Sequence, residues 1–596
     1  MARLKGAEVI VEYLAREGVP YVFGLCGHGI LGLLDALYDA RDRIRTVSVH
    51  HESTAAFMAD AYFRVTGRPV ATYTSCGPGS LNLPVGLASA FMDSSAFLAI
   101  TGNVPTSQWN RGPFQETGRY FQGDFVNVVR PYVKRSWQPT RVDMLPLALR
   151  QAFAVMLTGR PGPVHLDVPL NVFVETDDVE VPDPAAWRHG ISSRAGADPE
   201  TLARAAALLA AAERPVIVVG HGVELAGASA EVMALAERLG IPVVTSPLGK
   251  GALDLGHPLV LGATGRNGPY PANAATRNAD VVLALGTRFD DRSTSAWLPG
   301  YTYSIPPTRL IHVDIDPAEI GRNYPATVGV VADVRTFLRQ LLDRFADDPG
   351  ATPTRTAAWR EKVQTWRARW EEALAEARDS EAVPIHPARL LKELRAALPE
   401  DGILLSDVGV HHNWIVTDWR NTRPGGLLQT WGFASMGFGL AGALGAKLAA
   451  PDRPVVAVVG DGGMLMFPGV VATAVEYDIP VTWVVWNNQG FCSIRDQQLG
   501  YFGSGRELAT SFTRQADGTL YSPRFADLAR AMGADGVTVE RPDGLYAALR
   551  AAVESGRPTV IDVRVDREAR PPASGSWDLP PLPAPPPNFG WGEDDV

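Results

Sequence analysis

Short, unbroken apolar runs rich in β-branched residues recur along the whole chain, separated by longer stretches with helical spacing of apolar positions. The runs are Pro69–Thr74, Phe97–Thr101, Val164–Val168, Pro215–Val219, Val281–Leu285, Leu310–Val313, Val455–Val459, Val481–Trp486 and Thr559–Val563. Continuous apolar strands between helices predict parallel sheets covered on both faces. The first residues, MARLKGAEVIVEYLAREGV, mix charge and apolar positions at helical spacing and predict an amphipathic first helix, not a signal peptide. The Gly- and Ala-rich stretch 432–446 predicts a tightly packed helix and no membrane span.

Two polar stretches read as joints, 175–197 and 347–387. They divide the chain into an N-terminal unit (1–175), a central unit (195–345) and a C-terminal unit (385–566), followed by a proline-rich tail (567–596). The expected class is α/β, with three doubly wound parallel sheets. The first and third units share a rhythm of helix, strand, Gly-rich turn and further βα pairs.

Composition narrows the chemistry. Apolar residues make up 46% and charged residues 20%, and 55 Lys and Arg against 65 Asp and Glu give a net charge of −10. That balance predicts no nucleic-acid surface and no polybasic membrane patch. Three cysteines, Cys26, Cys76 and Cys492, suit a reducing cytosol and are too few for a disulfide scaffold.

The strongest motif is a pair of loops. One run ends in Gly460-Asp461-Gly462-Gly463, the next in Asn487-Asn488-Gln489-Gly490, followed by Phe491. Both fall at carboxyl ends of parallel strands, where open α/β sheets bind ligands. Glycines admit a phosphate close to the backbone, and one carboxylate with one amide oxygen suits Mg²⁺. Each loop alone reads as an ordinary β-turn; the pair is far more specific. Glu52, between apolar Val47–Val49 and helix Ser53–Val65, is a carboxylate expected to be partly buried. His411-His412 read as surface or packing residues, and two G-x-G-x-x-G matches, 27–32 and 437–442, lack the acid a nicotinamide site needs.

With this pair of loops, roughly residues 5–565 resemble the acetolactate synthase-like thiamine diphosphate enzymes. The resemblance implies that Asp461, Asn488 and the carbonyl of Gly490 hold Mg²⁺, with Gly460, Gly462, Gly463 and Phe491 around the diphosphate. Glu52 would bond the pyrimidine ring and promote the imino tautomer that deprotonates the thiazolium carbon. Gly77 and Asn82, in SCGPGSLN, match the family's glycine loop, and Gln115, in FQE, matches a glutamine facing the thiazolium. Lys134 matches a lysine near the substrate. Ala434 and Met436, in WGFASMGFG, match the segment whose methionine bends the cofactor. The runs GTRFDDR and HVDID resemble an FAD-binding stretch, so Gly286, Arg288, Asp290, Arg292 and Asp314 are expected to hold FAD, together with Asp333 beyond them.

Departures bear on the substrate. His28, in CGHG, stands where acetolactate synthases have a small residue, and is a candidate catalytic group that moves protons near neutral pH. It resembles enzymes that hydrolyse cyclic 1,2-diones, which is the alternative to 2-keto acid decarboxylation and carboligation. Asp496-Gln497 replaces the family's Gln-Trp pair, predicting a more polar substrate channel. The resemblance further implies a small keto substrate and a homo-oligomer, a dimer at least and a tetramer in expectation, with Glu52 and Asp461 supplied to one site by different subunits.

Overall fold

The structure, a computed structural model, describes residues 2–116, 124–190, 194–346, 354–572 and 574–575. Three six-stranded sheets, each wholly parallel, account for the fold. All nine apolar runs become strands, at Ala71–Thr74, Leu98–Asn103, Val164–Pro169, Pro215–Val219, Val281–Leu285, Arg309–Asp314, Val455–Gly460, Thr482–Asn487 and Thr559–Arg564.

Numbering strands within each unit, the N-terminal sheet runs 2-1-3-4-6-5, from Tyr21–Gly24 as strand 1 to Val164–Pro169 as strand 6. The C-terminal sheet, from Ile403–Ser406 to Thr559–Arg564, has the same order, so the shared rhythm reflects a shared topology. The central sheet runs 3-2-1-4-5-6, the dinucleotide-fold order, with a switch point between Pro215–Val219 and Val281–Leu285.

Some local expectations change. Ala2–Lys5 is a strand, paired antiparallel with Thr176–Val179, and the first helix begins only at Gly6. The polar stretch after 175 thus closes the N-terminal unit before it becomes a linker. The second joint contains helix Ala357–Arg378, whose Trp359, Trp366 and Trp370 are buried against the central unit. Three tryptophans at helical spacing make it part of that core. Of the tail, Ser574 is buried: its hydroxyl donates to Gly268 O at 2.6 Å and accepts from Asn273 Nδ2 at 2.8 Å. Residues 576–596 lie outside the described residues.

The outer units pack through helices Glu52–Thr66 and Phe438–Ala449, which share one apolar cluster. Close approach explains the Gly/Ala composition of 438–449. A Cβ on Gly445 would stand 2.0 Å from Met58 O, and one on Gly442 3.1 Å from Ala61 Cβ. Among the described residues no helix is long and apolar enough to cross a membrane. Gly445→Ala forces these helices apart and is expected to lower stability by about 1–3 kcal/mol, read as a reduced urea midpoint with unchanged slope.

Candidate active site

Two half-sites emerge, each at the carboxyl edge of an outer sheet. In the C-terminal unit, strands Val455–Gly460 and Thr482–Asn487 are adjacent and in register, Gly460 opposite Trp486. Their ends therefore present Asp461 and Asn488 side by side. Asp461 is 1% exposed. Its Oδ2 accepts from the amides of Asn488 and Gly490, both at 3.1 Å, and its Oδ1 from Gly462 N at 2.7 Å. Burial pushes its carboxyl up to about 6 against these donors. A buried carboxylate served only by amides fits a cation with oxygen preference.

Around it lies a cavity of about 220 Å³ lined by Ala434, Met436, Gly460, Gly462, Gly463, Asn488, Gly490 and Phe491, the residues expected at the diphosphate, the metal and the cofactor-bending segment. Phe491 covers Gly462, where a Cβ would stand 2.3 Å from its ring. Asp407, at the end of strand Ile403–Ser406, accepts from Gly437 N at 2.8 Å and Gly439 N at 3.2 Å and so fastens the Met436 loop.

His411 and His412 are buried, in line with the packing alternative, and both also line this cavity, which the sequence reading did not foresee. Burial pushes them down to about 4 and about 3, so both are neutral near pH 7. Among the described residues neither Nε2 has a hydrogen-bond partner. Their legible signal was position, since Ser406-Asp407-Val408-Gly409 is a third loop at the carboxyl edge of the same sheet. Arg292 also moves: it lines this cavity and not the central one, and burial beside Arg266 pushes it down to about 10. Gln497 lines the same wall, while Asp496 pairs with Arg570.

The second half-site belongs to the N-terminal unit. Glu52 opens helix Glu52–Thr66, is 7% exposed, and its Oε2 accepts from Asn82 Nδ2 at 2.9 Å. Cys76 Sγ lies 3.8 Å from His28 Nε2 and 3.8 Å from Gln115 Oε1. Gly77 has φ +61°, and a Cβ there would stand 2.7 Å from Gln115 O, so glycine is required on both counts. His28, Glu52, Gly77, Asn82 and Gln115 therefore converge as expected. Lys134 does not join them; its ammonium donates to Thr158 O and Arg160 O at 2.6 and 2.7 Å.

The central unit carries a separate cavity of about 240 Å³, lined by Gly286, Arg288, Asp290, Asp314 and Asp333. These are five of the six residues expected at FAD. None of the three cavity and cluster walls is shared: the Asp461 cavity contains no residue of the Glu52 cluster and none of the central wall.

The cysteines separate in exposure: Cys26 is exposed, Cys76 and Cys492 are buried. Burial pushes the Cys76 thiol up and the Cys492 thiol up to about 12. Native protein should therefore label rapidly at Cys26 alone, with the other two reacting only on unfolding; peptide mapping after timed alkylation checks this.

Comparison with known proteins agrees with the geometry. The thiamine pyrophosphate enzyme N-terminal TPP binding domain matches residues 4–122, the central domain 202–341, and the C-terminal TPP binding domain 407–563. The chain is 36% identical over 575 residues to a probable acetolactate synthase large subunit of Methanocaldococcus jannaschii, covering 94% of this chain and 92% of the relative. It is 36% identical to the acetolactate synthase large subunit of Parasynechococcus marenigrum, over 95% and 88% of the two chains. For acetolactate synthase isozyme 3 large subunit of Escherichia coli the figures are 34%, 95% and 96%. With three matched domains and relatives aligned over almost their full lengths, the chain belongs to the acetolactate synthase-like family of thiamine diphosphate enzymes.

Proposed function

We propose that this chain is the catalytic subunit of an acetolactate synthase-type carboligase, which releases CO₂ from a 2-keto acid of the pyruvate class and joins the remaining fragment to a second keto acid. The observation that carries the reading is Asp461, a buried carboxylate at the head of a cavity and caged by amides. The relatives' names support carboligation over hydrolysis of a cyclic 1,2-dione, and His28, which suggested the latter, sits against Cys76.

Mg²⁺ would be held by Asp461, the Asn488 side chain and the Gly490 carbonyl, and the diphosphate by Gly462, Gly463 and the neutral imidazole of His411. Bound thiamine diphosphate supplies the nucleophilic carbon and the electron sink that this bond-breaking requires. Glu52, fixed by Asn82, would hydrogen-bond the pyrimidine and hold a proton there, and Gln115 and His28, on either side of Cys76, would face the keto substrate. Met436, on a loop anchored by Asp407, would pack its large apolar side chain against the cofactor. Gln497 and Arg292 make the substrate wall polar and positive, suited to a carboxylate.

A complete site needs both halves, and within one chain they are separate. Each half is flanked by exposed apolar side chains: Leu31 and Phe114 at 60% and 76% beside the first, Met466 and Ile494 at 50% and 52% beside the second. A second copy that covers them would bring Glu52 of one subunit to Asp461 of the other, so a dimer is the minimum and a tetramer a pair of dimers.

Glu52→Gln should abolish CO₂ release from pyruvate while leaving Mg²⁺-dependent binding of thiamine diphosphate intact; normal turnover would remove Glu52 from the mechanism. Glu52→Gln and Asp461→Asn, each inactive alone, should regain activity when coexpressed, since mixed dimers contain one intact site. Coexpression without recovery would place both residues in the same subunit's site.

A further inference from the structure

One buried ammonium has no part in the scheme above. Lys250 is 2% exposed and lies in the turn Leu248–Ala252, just after the central strand Val243–Thr245. Its Nζ donates to Ile415 O at 2.6 Å and to Val416 O at 2.7 Å. Both carbonyls belong to the end of helix Val410–Asp418, in the C-terminal unit. The last carbonyls of a helix lack intrahelical donors, and that end of the helix favours a cation. Lys250 therefore ties two units together through charge-assisted hydrogen bonds.

The first turn of the same helix delivers His411 and His412 to the Asp461 cavity. At about 1.5 Å per residue they lie only about 8 Å from the carbonyls that Lys250 holds, so a shift at one end of this short rod moves the other. Neither imidazole has room to compensate. A Cβ on Gly460 would stand 3.2 Å from His411 Cε1, and the His412 ring packs on Trp431 at 4.0 Å.

The backbone on either side of Lys250 is fixed as well. A Cβ on Gly249 would stand 2.4 Å from Val219 O, and one on Gly251 2.3 Å from Leu427 O. Gly251 O accepts from Gly425 N at 2.9 Å and from Asn421 Nδ2 at 3.2 Å. The run Gly249-Lys250-Gly251 thus has a steric reason: two close backbone approaches, one to each unit, with the ammonium between them. Beside it, Thr417 Oγ1 donates to Asn267 O at 2.9 Å, and Asn267 Nδ2 to Asn413 Oδ1 at 2.7 Å.

A cation is hard to hold in this place. Burial pushes Lys250 down to about 7, with Asp418 opposing the shift and Arg420 adding to it. From helix Ala357–Arg378, Arg367, Glu371 and Arg378 face the same small cavity of about 40 Å³. Arg378 and Arg420 engage Glu371, and Arg378 engages Asp418. The partners of Lys250 among the described residues are thus the two helix carbonyls. An apolar side chain of similar length would fill the space with no charge to bury. What the charge accomplishes is the grip on the helix.

We infer that Lys250 is a positioning residue for the cofactor: by clamping the end of helix 410–418 it fixes His411 and His412 in the cavity wall, and so sets the affinity for thiamine diphosphate. The inference rests on the proposed function, which places the diphosphate at His411.

Isothermal titration of the purified full chain with thiamine diphosphate at saturating Mg²⁺ tests it. Lys250→Met should weaken binding about tenfold. The same substitution added to His411→Ala/His412→Ala should weaken it no further, because the lysine acts through those rings. Wild-type affinity in Lys250→Met, or a loss that adds in full to that of the histidine variant, would overturn the inference. If Lys250→Met does not fold, the pH profile decides. Lys250 is charged below about pH 7 and neutral above it, so the advantage of the wild type over His411→Ala/His412→Ala should shrink as pH rises from 6 to 8.5. An advantage independent of pH would overturn the inference. A wild-type chain that binds no thiamine diphosphate would instead remove the proposed function, and this inference with it.

Discussion

The three units are locked together around one buried carboxylate. Asp93, fully buried at the end of an N-terminal helix, receives Arg64 Nη2 at 3.2 Å, Thr430 Oγ1 at 2.7 Å and the amides of Trp431 and Gly432, with Arg288 Nη2 at 3.8 Å. Arg64 in turn holds Asp60 at 2.6 Å and Gln429 O at 2.6 Å. Burial pushes Asp93 upward, but Arg64 and Arg288 hold it below the usual carboxylate range. Breaking such a network leaves uncompensated buried charge, at a cost of about 3–5 kcal/mol. One residue from each unit is thus obliged to stay where it is.

The consequence is positional. The loop fastened by Asp93 continues into Ala434 and Met436, on the wall of the Asp461 cavity, and Arg288 stands on the wall of the central cavity. The junction therefore sets the distance between the two cavities and forms the partition between them. The helix pair 52–66 and 438–449 does similar work for the outer units, because glycines at 442 and 445 let two helices that begin beside the two half-sites approach to backbone contact.

Much of the catalytic layout was legible before any fold was known. Asp461 and Asn488 stood out because two Gly-rich loops each followed a β-branched run, and parallel strands expose their loops at a common edge. Glu52, Gly77, Asn82 and Gln115 were placed by resemblance, and the structure gathers them. His411 and His412 were missed since adjacent residues on a helix point apart; the cavity meets both because it wraps the start of helix Val410–Asp418. Arg292 was assigned to FAD by the resemblance of GTRFDDR to an FAD-binding stretch, yet the loop after Asp290 delivers it to the Asp461 cavity.

Local pattern determined the fold class, the strands of the sheet centres and the loops that carry chemistry, because burial on both faces imposes continuous apolar runs and phosphate approach imposes glycine. It did not determine the strand 2–5, whose pairing with 176–179 is a contact across the whole unit, nor the burial of helix 357–378. Only the tertiary structure decided which residues wall each cavity, and that the Asp93–Trp431 junction stands between the Asp461 cavity and the central one. Those are distances between units, set by buried charge and helix packing among residues hundreds of positions apart, and no local period of the sequence records them.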